Sequence, residues 1–272
     1  MRQYSAAIYA NENLLLTEAI ERLEEVLPTV EIRIYSSNMA GSTINTELEE
    51  YSVYPADEIK EEEILLVLSD TGDDFQKLKD FDGTVVDFTG AFEGVHDEVY
   101  PIEEPIAHIL KSIEANPADM EAVATVPAAL FGKSGIDDML NQTRELFAFT
   151  NSENKIFEER LAFNMFFSDA DQGILAGYKQ KLEMDTGIKA DVRMVPVSTG
   201  FVLDVYFKKD VNKEFAYIAD SPGFLATMSD VCELPRPVIL SKSDNRVTFA
   251  GDYIDTVSRQ IIEAIKDITG VE

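Results

Sequence analysis

One cysteine and two histidines are all that this chain has of the side chains most used as nucleophiles, bases and metal ligands: Cys232, His96 and His108. A single thiol excludes an intrachain disulfide and a metal site built on several thiolates. It fits a reducing, cytoplasmic location. No run approaches the roughly 18 apolar residues that a membrane helix needs. The opening stretch, MRQYSAAIYANENLLL, has one arginine and no small-residue cleavage site, so it does not read as a signal peptide. Basic residues are also scarce. There are 23 Lys and Arg against 51 Asp and Glu, a net charge of −28 and a pI of about 4.3. Such a surface repels nucleic acid and anionic membranes, whose binding relies on Lys and Arg against phosphate. Two readings of the acidity stand: a soluble surface suited to a saline cytoplasm, or docking to a basic partner. The spread of the acids along the chain favours the first.

What is present is an ordinary apolar fraction, 45% of 272 residues, enough for one large domain or two intimate ones. The first 90 residues alternate strand and helix. Residues 5–9 are short and apolar, a strand. Leu14, Leu15, Ala19, Ile20, Leu23 and Val26 fall at helical spacing, and Pro28 ends that helix. Val30, Ile32 and Ile34 alternate with polar neighbours, a half-buried strand. Residues 64–68 are a continuous apolar run, a central strand. Gly72 and Asp73 open a short helix, and residues 84–87 form another strand. This rhythm predicts a parallel sheet with covering helices. The second half expects a strand at 122–126, helices at 136–147 and 171–184, a hairpin or strand pair from 188–197 and 201–207, and a long amphipathic helix at 252–268. The fold class is α/β: an N-terminal Rossmann-like domain over residues 1–116, completed by 251–272, and an α+β dimerisation-type domain over 117–250.

A strand, a sharp turn and a helix at the N-terminus is the setting of a dinucleotide site, which needs glycines for the turn and for backbone approach to the pyrophosphate. The turn here reads Tyr9-Ala10-Asn11-Glu12-Asn13-Leu14-Leu15-Leu16, without glycine. Leu16 fills the space at the helix start. Glu12 puts a negative charge where phosphates would lie, a repulsion of about 1 to 4 kcal/mol at a few ångströms. Asn11 or Asn13 reads as a helix N-cap. Cys232, beside Glu233, reads as a buried or incidental thiol. His108 reads as a packed or rim residue. Asp97 and Glu98 beside His96 match no metal spacing, and Asp73 and Asp74 read as helix-start acids.

Val85-Val86-Asp87-Phe88-Thr89-Gly90-Ala91-Phe92 resembles the segment Val-Ile-Asp-Asn-Ser-Ser-Ala-Phe-Arg of aspartate-semialdehyde dehydrogenases. The run from Phe131-Gly132-Lys133-Ser134-Gly135 to Thr143 is similar to the start of that family's second domain. Lys155-Ile156-Phe157 with Leu161-Ala162-Phe163-Asn164, and Val195-Pro196-Val197, resemble two further family runs. The resemblance covers most of residues 1–210 in order and is best to the catalytically degenerate Usg-type paralogues.

Carried across by position, the resemblance implies a loss of chemistry. The family's turn glycines fall on Ala10, Asn13 and Leu16. Its phosphate-holding Arg falls on Glu93, and its nucleophilic Cys has no counterpart between Tyr100 and Ala128. The glutamine near the nucleophile falls on Pro127. The second-domain Arg falls on Met194, with Arg193 one step away, and the general-base His falls on Phe201. The family reaction needs a thiolate, a base and a hydride acceptor. The expectation is therefore no catalytic residue, no metal and no cofactor, with NADP bound only if the family function persists. The resemblance also implies a homodimer built on the second domain, although the matching runs read equally well as that domain's core. The leading function is a non-catalytic homologue acting as a dimeric scaffold or interaction protein, with no nucleic acid or membrane partner. Two alternatives are a small-molecule binder or divergent enzyme reusing the interdomain cleft, and a regulatory partner subunit of an active aspartate-semialdehyde dehydrogenase.

Overall fold

The structure is a computed structural model that describes residues 4–12, 14–59, 62–150, 154–168, 173–209, 215, 218–221, 223, 225, 227–234 and 236–271. The chain divides into two compact units, Met1–Glu104 with Val257–Glu272, and Pro105–Thr256.

The first unit holds β1 (Tyr4–Tyr9), α1 (Leu14–Val26), β2 (Val30–Tyr35), β3 (Thr43–Asn45), β4 (Glu50–Tyr54), β5 (Ile64–Val67), α2 (Phe75–Leu78), β6 (Thr84–Asp87) and β7 (Val99–Pro101). Its sheet runs β3-β4-β2-β1-β5-β6-β7, parallel throughout except for the β3–β4 pair. Helix α1 forms because Leu15, Leu16, Ala19, Ile20 and Leu23 make one apolar stripe, all buried. It stops before Pro28, which has no N–H to extend it. Strand β5 is buried at every residue, as a parallel strand covered on both faces must be.

The second unit holds α3 (Pro105–Ser112), β8 (Met120–Val126), α4 (Gly132–Phe147), β9 (Phe166–Phe167), α5 (Ile174–Thr186), β10 (Lys189–Met194), β11 (Gly200–Phe207), β12 (Ala219–Asp220), α6 (Met228–Cys232), β13 (Val238–Lys242), β14 (Arg246–Asp252) and the first turn of α7 (Tyr253–Thr269). Helix α3 counts with this unit, where it packs on α5. Its sheet runs β12-β13-β14-β11-β8-β10-β9. The expected strand pair from 188–197 and 201–207 does not form. Strand β8 lies between β10 and β11, parallel to the first and antiparallel to the second. The connecting backbone bonds to the end of β8 instead of folding back: Val195 N–H donates to Val126 O, and Ala128 and Ala129 N–H donate to Val197 O and Ser198 O. Helix α5 ends on Gly187 at φ +70°, a left-handed turn that glycine adopts without strain. The expected helix start at Asp171 lies outside the described residues. Among the described residues no helix is long and apolar enough to cross a membrane.

Candidate functional site

In the first unit the strand order reverses between β1 and β5. Open α/β sheets bind ligands at the carboxyl ends of the strands beside such a point. Here those ends are joined by side-chain hydrogen bonds. The Asn11 N–H donates to Ser69 Oγ at 3.0 Å, which ties the end of β1 to the end of β5. The Asn11 amide group donates to the Tyr9 hydroxyl at 2.8 Å and to the Asp70 carbonyl at 3.1 Å. Its Oδ1 accepts from Ser36 Oγ at 3.0 Å, which adds the end of β2. Tyr9 then donates to Asp74 at 2.9 Å, and Ser37 and Lys77 also bond to that carboxylate. Burial pushes the Asp74 carboxyl upward, but the hydrogen bonds from Ser37, Lys77 and Tyr9 outweigh it and hold the group below its ordinary value. Burial of Tyr9 pushes its hydroxyl up to about 12.

Of the two N-cap candidates, Asn11 spends its side chain on Tyr9, Asp70 and Ser36. Asp73 and Asp74 stand in the first turn of the short helix before α2, as expected of helix-start acids, and Asp74 is in addition a buried hub. Ala10 and Leu16 are both fully buried, Ala10 donating its N–H to the Tyr35 carbonyl. Asn13 lies outside the described residues.

The turn after β6 is built on the buried Asp87. Its carboxylate accepts from Thr89 N–H at 2.8 Å, Thr89 Oγ1 at 2.7 Å and Phe92 N–H at 2.8 Å. Phe92 is thereby drawn into the core against Phe75, and Glu93 follows it as an exposed residue. His96 is a clasp: its Nε2–H donates to the Phe81 carbonyl at 2.9 Å, which leaves Nδ1 to accept from Glu98 N–H at 3.2 Å. The Glu98 carboxylate accepts from Thr84. His108 lies half-buried on α3. Among the described residues no group of three or more His, Cys, Asp and Glu is placed to hold a metal ion.

In the second unit, Pro127 is buried at the end of β8, and Met194 and Phe201 are fully buried. Strand alternation explains the neighbour of Met194: β10 buries Ala190, Val192 and Met194, and turns Lys189, Asp191 and Arg193 outward. Phe201 is accommodated because position 251 is glycine; a Cβ there would lie 3.0 Å from the Phe201 ring. Burial, and then the negative charge of Asp252, push the Cys232 thiol up to about 11, so it is not an activated nucleophile.

The runs that carry the resemblance have a structural task. Gly135 lets α4 approach the preceding turn, where a Cβ would lie 2.5 Å from the Ala128 carbonyl. One turn further, buried Asp138 accepts from Lys155, Ile156 and Phe157 N–H at 3.1, 2.8 and 3.2 Å. Gln142, four residues on and on the same face, accepts from Leu161 and Ala162 N–H at 2.8 and 3.1 Å. The two side chains pin the segment 155–162 to α4.

The second sheet also has an outward face. Cross-strand partners share a face, and the registers place Lys189, Glu121, Tyr206 and Arg246 in one row. Asp191, Val123, Asp204 and Thr248 form the next, followed by Phe167, Arg193 and Thr125. Three acids and three bases alternate there, so the face is neutral in a chain of net charge −28. Phe167 is 60% exposed, and nearby in sequence so are Phe163 at 71% and Met165 at 40%.

The sequence matches no protein-family model and no curated protein. The structure does have close likenesses among solved structures. A probable aspartate-semialdehyde dehydrogenase from Pseudomonas aeruginosa aligns over 99% of both chains with a TM-score of 0.79 and 12% identity. Aspartate semialdehyde dehydrogenase II from Vibrio cholerae, in a complex with ASA, aligns over 100% of both chains at 0.78 and 16%. The enzyme from Francisella tularensis aligns over 97% of this chain and 100% of its own at 0.63 and 13%. The fold is that of the aspartate-semialdehyde dehydrogenases. At such identities the likeness is one of fold. The Asn11 network and the Asp138–Gln142 clamp are the parts of this aspartate-semialdehyde dehydrogenase fold that reading the sequence missed. Their partners come from separate segments, and only an acid or amide four residues apart on α4 hinted at the second.

Proposed function

We propose that this chain is a non-catalytic protein on the aspartate-semialdehyde dehydrogenase fold, akin to the Usg-type paralogues and acting as a dimeric scaffold. The observation that carries the reading is the Asn11 network across the carboxyl ends of β1, β2 and β5. A dinucleotide seated there must displace it. Four hydrogen bonds at about 0.5 to 1.5 kcal/mol each amount to roughly 2 to 6 kcal/mol. A micromolar ligand has only about 8 kcal/mol in total. The carboxylates of Asp70 and Asp74 add repulsion toward a pyrophosphate. Buried Met194 and Phe201 offer neither charge nor base.

Pairing is supported by the neutral outward face of the second sheet. Tyr206 and Phe167 are exposed on that face beside Val123, and its mixture of acids and bases suits a two-fold contact with itself. A single thiol suits a reducing cytoplasm.

The test is a dehydrogenase assay in both directions, with an aspartyl phosphate-type substrate or its semialdehyde and nicotinamide cofactor, alongside sedimentation of the purified chain. The reading expects no turnover above the no-enzyme rate and a dimer. Measurable turnover overturns the non-catalytic reading; a monomer at every concentration overturns the scaffold.

A further inference from the structure

We propose that the buried face of α4 binds two water molecules, one between Asp138 and Gln142 and one between Gln142 and Glu145. The inference is independent of whether the chain pairs or turns over a substrate.

The clamp on α4 uses only half of each polar group. Asp138 accepts the N–H groups of Lys155, Ile156 and Phe157 on Oδ2, and Gln142 accepts those of Leu161 and Ala162 on Oε1. The other halves, Asp138 Oδ1 and Gln142 Nε2, are shut off from solvent and have no hydrogen-bond partner among the described residues. Glu145 Oε2 is in the same condition, although Glu145 as a whole is half-buried. Asp138 is 3% exposed and Gln142 is fully buried. Turning the Gln142 amide over does not relieve the misfit, because its NH2 would then meet the N–H groups of Leu161 and Ala162.

Positions 138, 142 and 145 are four and three residues apart, so their side chains form one row along the helix. The unpartnered atoms in that row read acceptor, donor, acceptor: a carboxylate oxygen, an NH2 with two hydrogens, and a second carboxylate oxygen. Native proteins leave few such atoms unpaired, because a buried polar group without a partner keeps its full desolvation penalty. Water matches the row. One molecule accepts from the first Gln142 N–H and donates to Asp138 Oδ1. The other accepts from the second N–H and donates to Glu145 Oε2. The spacing suits water as well. Helix neighbours one turn apart are separated by about 5 to 6 Å at Cβ, and two groups that each stand about 2.8 Å from a shared water lie about 5 Å apart. A cation matches poorly, since the Gln142 N–H groups at the centre of the row would turn their positive ends toward it. Among the described residues no group of three or more His, Cys, Asp and Glu is placed to hold a metal ion.

The experiment is NMR of the isotope-labelled full chain, reading NOE and ROE transfer from water to the Gln142 side-chain NH2. Gln142→Glu identifies that NH2 by its loss and keeps an oxygen for the N–H groups of Leu161 and Ala162. Where that variant does not fold, NOE contacts to Leu161 and Ala162 in the wild type identify it. Both hydrogens of the NH2 are expected to show water transfer of opposite sign in the two spectra, the mark of water held in place and not of proton exchange. Glu145→Ala removes one anchor and is expected to abolish the transfer at one hydrogen and keep it at the other. Transfer to fewer than both hydrogens in the wild type, or transfer of equal sign, overturns the proposal. So does a Glu145→Ala variant that loses both signals or neither. Saturable movement of the NH2 signals with added KCl or MgCl2 marks a bound cation and overturns it too.

Discussion

The Tyr9 hydroxyl donates to the Asp74 carboxylate at 2.9 Å while accepting from Asn11 at 2.8 Å, so one phenol links the end of β1 to the turn before α2. Tyr9→Phe removes both bonds and is expected to cost about 1 to 2 kcal/mol in urea denaturation. The pH dependence follows from the two shifts. Tyr9 is raised from 10.0 to about 12, so its contribution is fully present below pH 10 and is lost as pH rises toward 12. Asp74 is lowered from 3.8, so its contribution is present above that value and is lost as pH falls through the depressed one. The stability difference between wild type and Tyr9→Phe should be level between pH 5 and 9 and shrink at both extremes. A difference that grows above pH 10 would contradict this assignment.

Asp138 gathers three backbone N–H groups on one oxygen. Asp138→Ala strands three backbone donors, that of Phe157 buried, and removes a charge-assisted acceptor. It should lower stability by about 2 to 4 kcal/mol and increase proteolysis within residues 154–162. Near-wild-type denaturation would show that α4 does not hold that segment.

How much of this was legible in the sequence depended on range. Helix α1 and strand β5 follow from spacing alone, because the apolar stripe and the four-residue apolar run each report burial locally. The α/β plan followed from the same periodicities. The neighbours of β10 and β11 did not, because each pairs with β8, whose partner residues lie 68 positions before those of β10 and 77 to 87 before those of β11. Asn11 shows the same limit. As a residue before a helix it reads as a cap, and only the arrival of Ser36, Ser69 and Asp70 from three other positions shows that its side chain is occupied.

Cys232 is pushed from 9.0 up to about 11 by burial and by Asp252. Its thiolate fraction at pH 8 is then roughly a hundredfold lower than that of an ordinary thiol. Iodoacetamide labelling of the folded chain at pH 8 should be slower than in urea by at least that factor. Equal rates would contradict the raised value.

Phe201 and Met194 are fully buried. Phe201→His and Met194→Arg insert a polar ring and a charge among apolar neighbours, and each is expected to cost about 3 kcal/mol or more. The double variant should be destabilised and gain no dehydrogenase activity, as measured by thermal unfolding and by cofactor absorbance. A stable, active double variant would mean that the rest of the chemistry had survived.

The most direct test of the central claim is an isothermal titration of the purified wild-type chain with NADPH. With Asn11, Ser36 and Ser69 bonded across the strand ends, no saturable heat is expected up to about 1 mM ligand, the weak end of specific binding. A single-site isotherm with a micromolar dissociation constant would contradict the claim that this dehydrogenase fold has closed its cofactor site.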